Sequence, residues 1–256
     1  MLFSRKKKSA PREDLTTVVT DDALDSVAII CDGNGRWAKK RGLRRSDGHI
    51  AGAKAIQPAL ESFRKIGVHY VTLYCFSTEN WKRPKEEVDG IMKLIYKYLI
   101  EVVVEKIKTD KDFCIRFIGD LTPVPEPLRS KCREVEAMAK DRPFVCSVAL
   151  NYGGKDEIIH AANAAMRDGV TELTEEILEK YLYTAGIPDP DMIIRTGGNF
   201  RVSNFLIWQG AYSEYVVLDT LWPDFCDADI AHSVREFYKR SRRFGGLDKE
   251  DKEENQ

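Results

Sequence analysis

The sequence predicts an α/β fold: one domain with a mostly parallel six-stranded sheet and helices on both faces. Three observations carry this expectation. Short β-branched or aromatic runs recur along the chain, longer helical patterns separate them, and neither an internal repeat nor a Pro/Gly/Ser-rich linker divides it. With 256 residues the chain is long enough to bury one sizeable core.

The predicted strands are Val27 to Cys31, Tyr70 to Phe76, Phe113 to Ile118, Phe144 to Leu150, Met192 to Arg195 and Phe205 to Trp208. A short seventh run, Tyr215 to Leu218, adds to these. All are short and apolar, as strands covered on both faces are. A helix is expected from about Gly48 to Ile66, stopped by Gly67 and kinked at Pro58. A second begins near Pro84, with Glu86 and Glu87 in its first turn, and continues past Val104. Others cover roughly Pro127 to Lys140, Asp156 to Arg167, Thr174 to Tyr183 and Asp229 to Arg240. Residues 1–25 read as a loosely ordered segment, residues 26–246 as the folded domain and residues 247–256 as a charged tail.

The 40 basic and 41 acidic side chains nearly cancel, so no global field points to nucleic acid and any anion site must be built locally. Six scattered cysteines without a C-x-x-C pair read as small buried hydrophobes in a reducing compartment. No apolar stretch approaches the ~20 residues of a membrane span, and the basic Arg5 to Lys8 has no apolar region behind it. A cytoplasmic protein is expected.

Ligands of parallel sheets bind beyond the carboxyl ends of strands, and three such ends are rich in anion-binding chemistry. After the first strand comes Asp32-Gly33-Asn34-Gly35-Arg36-Trp37: two glycines permit close backbone approach, and exposed amides lead into a helix. A carboxylate in such a loop makes sense where it holds a magnesium ion bridging to phosphate. After the second strand comes Ser77-Thr78-Glu79-Asn80-Trp81-Lys82-Arg83, more chemistry than helix capping requires. After the fifth come Arg195, a double glycine, Arg201 and Ser203, whose guanidinium forks match phosphate oxygens.

Two look-alikes fail. Gly33-x-Gly35-x-x-Ala38 fits a dinucleotide fingerprint, but no acid follows at the spacing that would hold a ribose. Asp21-Asp22-Ala23-Leu24-Asp25 spells the metal motif of all-helical trans-prenyltransferases, yet it precedes a strand and has no second copy.

The chain resembles the cis-prenyltransferases through several motifs in order. These include Asp32-Gly33-Asn34-Gly35-Arg36-Trp37-Ala38, Gly48-His49 and Tyr74-Cys75-Phe76-Ser77-Thr78-Glu79-Asn80-Trp81. Asn151-Tyr152-Gly153-Gly154, Arg195-Thr196-Gly197-Gly198, Ser203-Asn204-Phe205-Leu206, Leu221-Trp222-Pro223-Asp224-Phe225 and Arg242-Arg243-Phe244-Gly245-Gly246 follow. The resemblance implies Mg2+-dependent condensation of isopentenyl diphosphate onto an allylic diphosphate, with farnesyl diphosphate as starter. It also implies undecaprenyl diphosphate, a cell-wall lipid carrier, as product, with a shorter or longer polyprenyl product as the alternative. A non-catalytic subunit of a heteromer is a weaker reading, because such subunits lack the aspartate and arginine sites kept here.

By the same resemblance Asp32 anchors magnesium and the reacting diphosphates, with Glu214 as a second metal-side carboxylate. Gly33 to Trp37, Arg45 and His49 hold the allylic diphosphate, and Asn34 and Asn80 guide proton loss. Ser77 to Glu79, Trp81 and Arg83 close over the centre, while Arg195, Arg201 and Ser203 hold isopentenyl diphosphate. A homodimer is implied, with Arg243 reaching the partner's site, as is transient contact with the inner membrane face. Asn199 stands where many members carry Glu, and Cys31 where Met is usual. Finally, the helix after Pro84 is apolar over much of its circumference. Val88, Ile91, Met92, Ile95, Tyr98, Leu99 and Val102 suit ordinary burial, and with Leu94, Ile100, Val103 and Val104 added, part of this surface is expected to line a channel for the growing tail, with Ile100 and Val104 as the positions to test.

Overall fold

A computed structural model describes residues 24–240 together with Leu15 and Val18. The basic start, most of the Asp21 to Asp25 stretch and the element around Arg243 lie outside the described residues. Six parallel strands form one sheet in the order β3-β4-β2-β1-β5-β6. They are β1 (Ser26–Ile30), β2 (Tyr70–Ser77), β3 (Phe113–Ile118), β4 (Phe144–Tyr152), β5 (Met192–Arg195) and β6 (Glu214–Val217). Every residue of β1 is buried, as expected for a central strand covered on both faces. Val27 and Ile29 enter the main core, and Ala28 and Ile30 enter a smaller cluster on the opposite face.

The helices are α1 (Asn34–Lys40), α2 (Arg45–Lys65), α3 (Lys85–Tyr98), α4 (Val104–Thr109), α5 (Glu126–Met138), α6 (Gly154–Arg167), α7 (Glu175–Glu179) and α8 (Asp227–Tyr238). A π-helical turn, Leu99–Val103, joins α3 to α4. Helix α2 starts earlier than its apolar pattern suggests, because the Arg44 N–H donates to Asp47 Oδ2 (3.1 Å) and caps it. Its helical assignment continues through Pro58. Helix α7 is shorter than expected: the Thr174 hydroxyl caps its start, and beyond Glu179 the chain turns so that the Tyr183 N–H reaches Glu157 Oε1 (2.9 Å).

The sixth strand is not where the apolar pattern places it. Phe205 to Trp208 is a turn, and the edge strand is Glu214–Val217, the short seventh run. Ser203, Asn204 and Leu206 have φ of 51°, 60° and 44°, which no strand accommodates. Phe205 and Leu206 are nevertheless fully buried, with the Phe205 ring stacked on Tyr74 at 4.4 Å. Burial of a wedge, rather than pairing in a sheet, explains this apolar run.

Topology then locates the site. From β1 the chain winds toward β2, and from β5 it winds the other way toward β6, so the order reverses between the neighbours β1 and β5. A crevice opens at such a switch point, beyond the carboxyl ends of the two strands. Ile30 pairs with Arg195 on the last rung, which sets Asp32 and Arg195 side by side there.

Candidate active site

Asp32 is the centre of a charge-assisted cluster. Its Oδ2 accepts from Arg195 Nη2 (3.0 Å) and Asn199 Nδ2 (2.9 Å), and its Oδ1 pairs with Arg36 Nη2 (3.1 Å). Burial by itself would push the Asp32 carboxyl up, but the Asn199 amide, Arg195 and Arg36 together hold it below the usual Asp value. The backbone is held as firmly. Asp32 O accepts from the Thr196 hydroxyl (2.7 Å) and from the Trp222 N–H (3.0 Å). Gly33, at φ 116°, lies so close to Leu221 that a Cβ would sit 2.9 Å from its side chain.

Arg195 joins this cluster to the loop after β5. Its Nη1 donates to Ser203 Oγ (2.7 Å) and to the Arg201 carbonyl, while the Arg201 side chain is exposed. Arg36 Nη1 donates to Gly197 O (2.6 Å), and a Cβ on Gly197 would collide with that guanidinium. The left-handed Ser203 and Leu206 each cost about 1–3 kcal/mol. Bonds around them hold the conformation: Lys155 N–H donates to Asn204 Oδ1 (2.9 Å), and Asn204 Nδ2 donates to Glu79 Oε1 (3.1 Å).

The Ser77 to Arg83 segment leans on the same loop. Ser77 N–H donates to Asn80 Oδ1 (3.2 Å), Thr78 Oγ1 to Asp156 (3.2 Å) and Trp81 Nε1 to Asn151 Oδ1 (2.7 Å). Asn151, at φ 50°, also donates to Asp120 O (2.6 Å), so the end of β4 braces the loop after β2. Asn151 had no role in the sequence reading; the Asn-Tyr-Gly-Gly run after a strand was its only signal.

A second cluster gathers on one carboxylate that the motifs did not single out. Glu87 Oε1 lies 2.9 Å from Arg45 Nε and 3.1 Å from Arg83 Nη1. The buried His49 Nε2 is 3.4 Å from the same oxygen but is not aligned for a hydrogen bond. Burial lowers the His49 pKa, Arg83 lowers it further, and Glu87 opposes them.

Between the two clusters opens a cavity of about 540 Å³. Cys31, Asn34 and His49 stand at its mouth, and alternate residues of the sheet (Leu73, Ile115, Cys146) face α2 and α3 across it. Asn34 Oδ1 is buried there with no hydrogen-bond partner. The helix face in the cavity carries Leu94, Ile95, Tyr98, Leu99, Val102 and Val103. The expected assignment holds only in part: Leu94 and Val103 line the cavity, but Ile100 is 43% exposed on the outer side, Val104 packs against the core, and Ile91, Ile95, Tyr98, Leu99 and Val102 of the face expected to be ordinary burial line it as well. The cysteine expectation is corrected similarly: all six are free, but only Cys114, Cys132 and Cys146 are buried, and Cys226 is exposed.

Two expected site residues stand apart from Asp32. Glu214 opens β6, paired with Met192 three rungs before Arg195, so it lies about 10 Å back along the strands. It is paired there with Arg240 Nη1 (2.8 Å). Trp37 turns its indole N–H to Asp224 Oδ1 (2.9 Å) beneath the Arg41 guanidinium, bracing α1 against the Trp222–Asp224 turn.

A family model described as "Putative undecaprenyl diphosphate synthase" matches residues 30–245. The isoprenyl transferase of Fusobacterium nucleatum is 47% identical over 86% of this chain and 95% of that protein. That of Bacillus subtilis is 43% identical over 96% and 99%. Among solved structures, a probable undecaprenyl diphosphate synthase from Campylobacter jejuni is 34% identical with a TM-score of 0.74, covering 87% of this chain and 98% of that one. Lavandulyl diphosphate synthase from Lavandula x intermedia, solved with dimethylallyl diphosphate, is 31% identical with a TM-score of 0.84, covering 88% and 100%. With this fold, this sheet order and these relatives, the chain belongs to the isoprenyl transferase family, that of undecaprenyl diphosphate synthase, and is a prenyl-transferring enzyme.

Proposed function

We propose that the protein condenses isopentenyl diphosphate units, in cis, onto an allylic diphosphate to make a polyprenyl diphosphate. Farnesyl diphosphate is the proposed starter and undecaprenyl diphosphate the proposed product. One observation carries this reading: a cluster of guanidinium, amide and hydroxyl groups around an ionised carboxylate is flanked by Cys31 and Asn34, which line an apolar cavity. A diphosphate with a hydrocarbon tail needs both. The lavandulyl enzyme's bound dimethylallyl diphosphate supports the allylic class of substrate.

The donor set fits a magnesium ion carried by the substrate better than a closed protein cage. No group of three metal-binding side chains occurs among the described residues, and Mg2+ commonly takes one carboxylate plus phosphate oxygens and water. Asp32, held ionised, is that carboxylate, and the ion would neutralise charge growing on the leaving diphosphate.

The chain's own groups do the rest. Arg36 and the amides at the start of α1 stabilise the negative charge that grows on the diphosphate as it leaves with the electron pair of the allylic C–O bond. Arg195, Ser203 and Arg201 hold isopentenyl diphosphate so that its double bond faces the allylic carbon. The unpartnered Asn34 Oδ1 is the better of the two proposed amides to guide proton loss, since Asn80 Oδ1 already caps Ser77. Burial of the tail in the cavity, at about 0.8 kcal/mol per methylene, retains the intermediate between additions. A homodimer and transient membrane contact for product release belong to the same proposal. No described helix is long and apolar enough to cross a membrane.

The test is radiolabelled isopentenyl diphosphate with geranyl, farnesyl and geranylgeranyl starters, followed by product sizing. Incorporation with at least one starter, lost in a folded Asp32→Ala variant, is expected. Wild-type turnover in that variant would remove Asp32 from the mechanism.

A further inference from the structure

Asn204 stands where three of the loops at the carboxyl end of the sheet meet. It belongs to the loop after β5 and has φ of 60°, a left-handed conformation that asparagine tolerates better than most residues. Its carbonyl oxygen accepts from the Gly154 N–H at 2.7 Å, and its Oδ1 accepts from the Lys155 N–H at 2.9 Å. Both donors lie in the first turn of α6, whose N-cap, Gly153, has no side chain to satisfy them. Asn204 therefore caps α6 from a distant loop. The other end of its amide, Nδ2, donates to Glu79 Oε1 at 3.1 Å, in the segment after β2.

The junction is tight. A Cβ on Gly153 would collide with Asp156, Asn204 and Thr78 at once, one atom from each loop. Thr78 Oγ1 also donates to Asp156 Oδ2 (3.2 Å), which ties the segment after β2 to α6 a second time. Phe205, next in the chain, is fully buried and stacked on Tyr74 at 4.4 Å, so the backbone at Asn204 is anchored. The solvent-exposed bond to Glu79 is then the one that opens most readily. On the preceding side, Ser203 Oγ accepts from Arg195 Nη1 (2.7 Å), so a single residue separates the bond to Glu79 from the anion-binding groups.

We propose that Asn204 is a positioning residue whose bond to Glu79 couples the two substrate subsites. This rests on the reading above, in which the loop after β5 holds isopentenyl diphosphate and the Ser77 to Arg83 segment closes over the allylic diphosphate. An anion on Arg195 and Ser203 fixes the left-handed backbone of Ser203 and Asn204, and with it the amide that Glu79 meets. Glu79, once bonded, holds its segment in place over the neighbouring subsite, so a ligand there has less ordering left to do. Coupling of this kind is reciprocal: each substrate strengthens the binding of the other by the same factor. One exposed hydrogen bond to a carboxylate sets that factor at about fivefold.

The experiment has two arms, both on the full chain. In the first, calorimetry with magnesium present measures isopentenyl diphosphate binding with and without farnesyl thiolodiphosphate, a sulfur analogue that resists ionisation, and then the reverse. Each should tighten the other about fivefold. Asn204→Asp keeps the acceptor for Lys155 but sets an oxygen against Glu79, and Glu79→Ala removes the acceptor, so both should bring the coupling below twofold. Asn204→Asp combined with Glu79→Gln exchanges donor and acceptor and should return it above threefold, which loss of packing alone does not predict. Glu79 is exposed, so its variant keeps the test intact if Asn204→Asp does not fold. In the second arm, without diphosphates, deuterium uptake is read across the junction. Glu79→Ala should speed exchange at least threefold in residues 202–206, and Asn204→Asp should do so in residues 78–83. Coupling below twofold in the unmodified protein, coupling kept by either folded single variant, or an exchange of groups that restores nothing overturns the proposal. A chain that binds neither diphosphate refutes the enzymatic reading instead. Deuterium uptake then decides the link alone, and uptake unchanged across the junction in both variants overturns it.

Discussion

Replacing Gly48 with alanine should lower both stability and turnover, although alanine is the better helix former. Gly48 and Gly52, one turn apart on α2, allow the start of α1 to lie directly against that helix. A Cβ at Gly48 would stand 2.1 Å from the Asn34 carbonyl oxygen, and one at Gly52 would stand 2.2 Å from Asn34 Oδ1. The first obstacle is backbone and cannot rotate aside, so α1 and α2 must part by more than an ångström. Overpacking of this kind costs about 1–3 kcal/mol, against a helix-propensity gain of about 0.5–1 kcal/mol. A net loss of up to about 2 kcal/mol lowers the melting temperature by about 4–8 °C for a chain of this size. Because the displaced loop carries Asn34 and follows Asp32, turnover should fall on the order of 10²-fold, as for a misplacement of about 1 Å. Gly90→Ala on α3 is the control: nothing lies within 4 Å of its Cβ, so it should gain about 0.5–1 kcal/mol. Thermal denaturation and isopentenyl diphosphate incorporation are the assays. A Gly48→Ala protein that melts with the wild type and keeps its turnover refutes the close-approach argument, as does a Gly90→Ala protein destabilised equally.

The Asp32 carboxylate, with its pKa held low, contributes stability that is present above the ordinary Asp value of about 3.9 and lost as pH falls through its depressed folded value. The stability advantage of wild type over Asp32→Asn should therefore close only below about pH 4, and closure near pH 6 in denaturation curves would contradict the depressed pKa. Arg201→Lys keeps the charge but loses the planar fork, so KM should rise about tenfold for isopentenyl diphosphate and less than threefold for the starter. Equal weakening of both would place Arg201 at a shared site. Val103→Phe, which narrows the cavity, should shorten the main product by at least one unit, whereas Ile100→Trp on the outer side should leave it unchanged. Product sizing by mass spectrometry checks both, and shortening by Ile100→Trp alone would restore the helix face first expected from the sequence.

What was legible in the sequence follows from short-range physics. The first five strands are dense runs of β-branched and aromatic residues, a pattern that survives any tertiary arrangement buried on both faces. The loops after β1, β2 and β5 were equally readable, because phosphate chemistry demands glycines, guanidiniums and hydroxyls in a small space. Their placement at strand ends made convergence the natural expectation. Four matters were decided only by the tertiary structure. Phe205 and Leu206 looked like a strand because burial, not pairing, made them apolar, and their left-handed neighbours are not visible in composition. Glu87 looked like an ordinary first-turn acid until α2 brought Arg45 and His49 onto it. Glu214 comes in the first strand after the Arg195 loop, yet the parallel register sets it at the opposite end of the strands from Asp32. The channel face of α3 depended on phase through the Leu99–Val103 π turn, where the ordinary helical period no longer holds. Sequence pattern reports what each segment must bury or bind. Which side chains meet depends on rotation and register between segments far apart in the chain, and only the packed fold sets those.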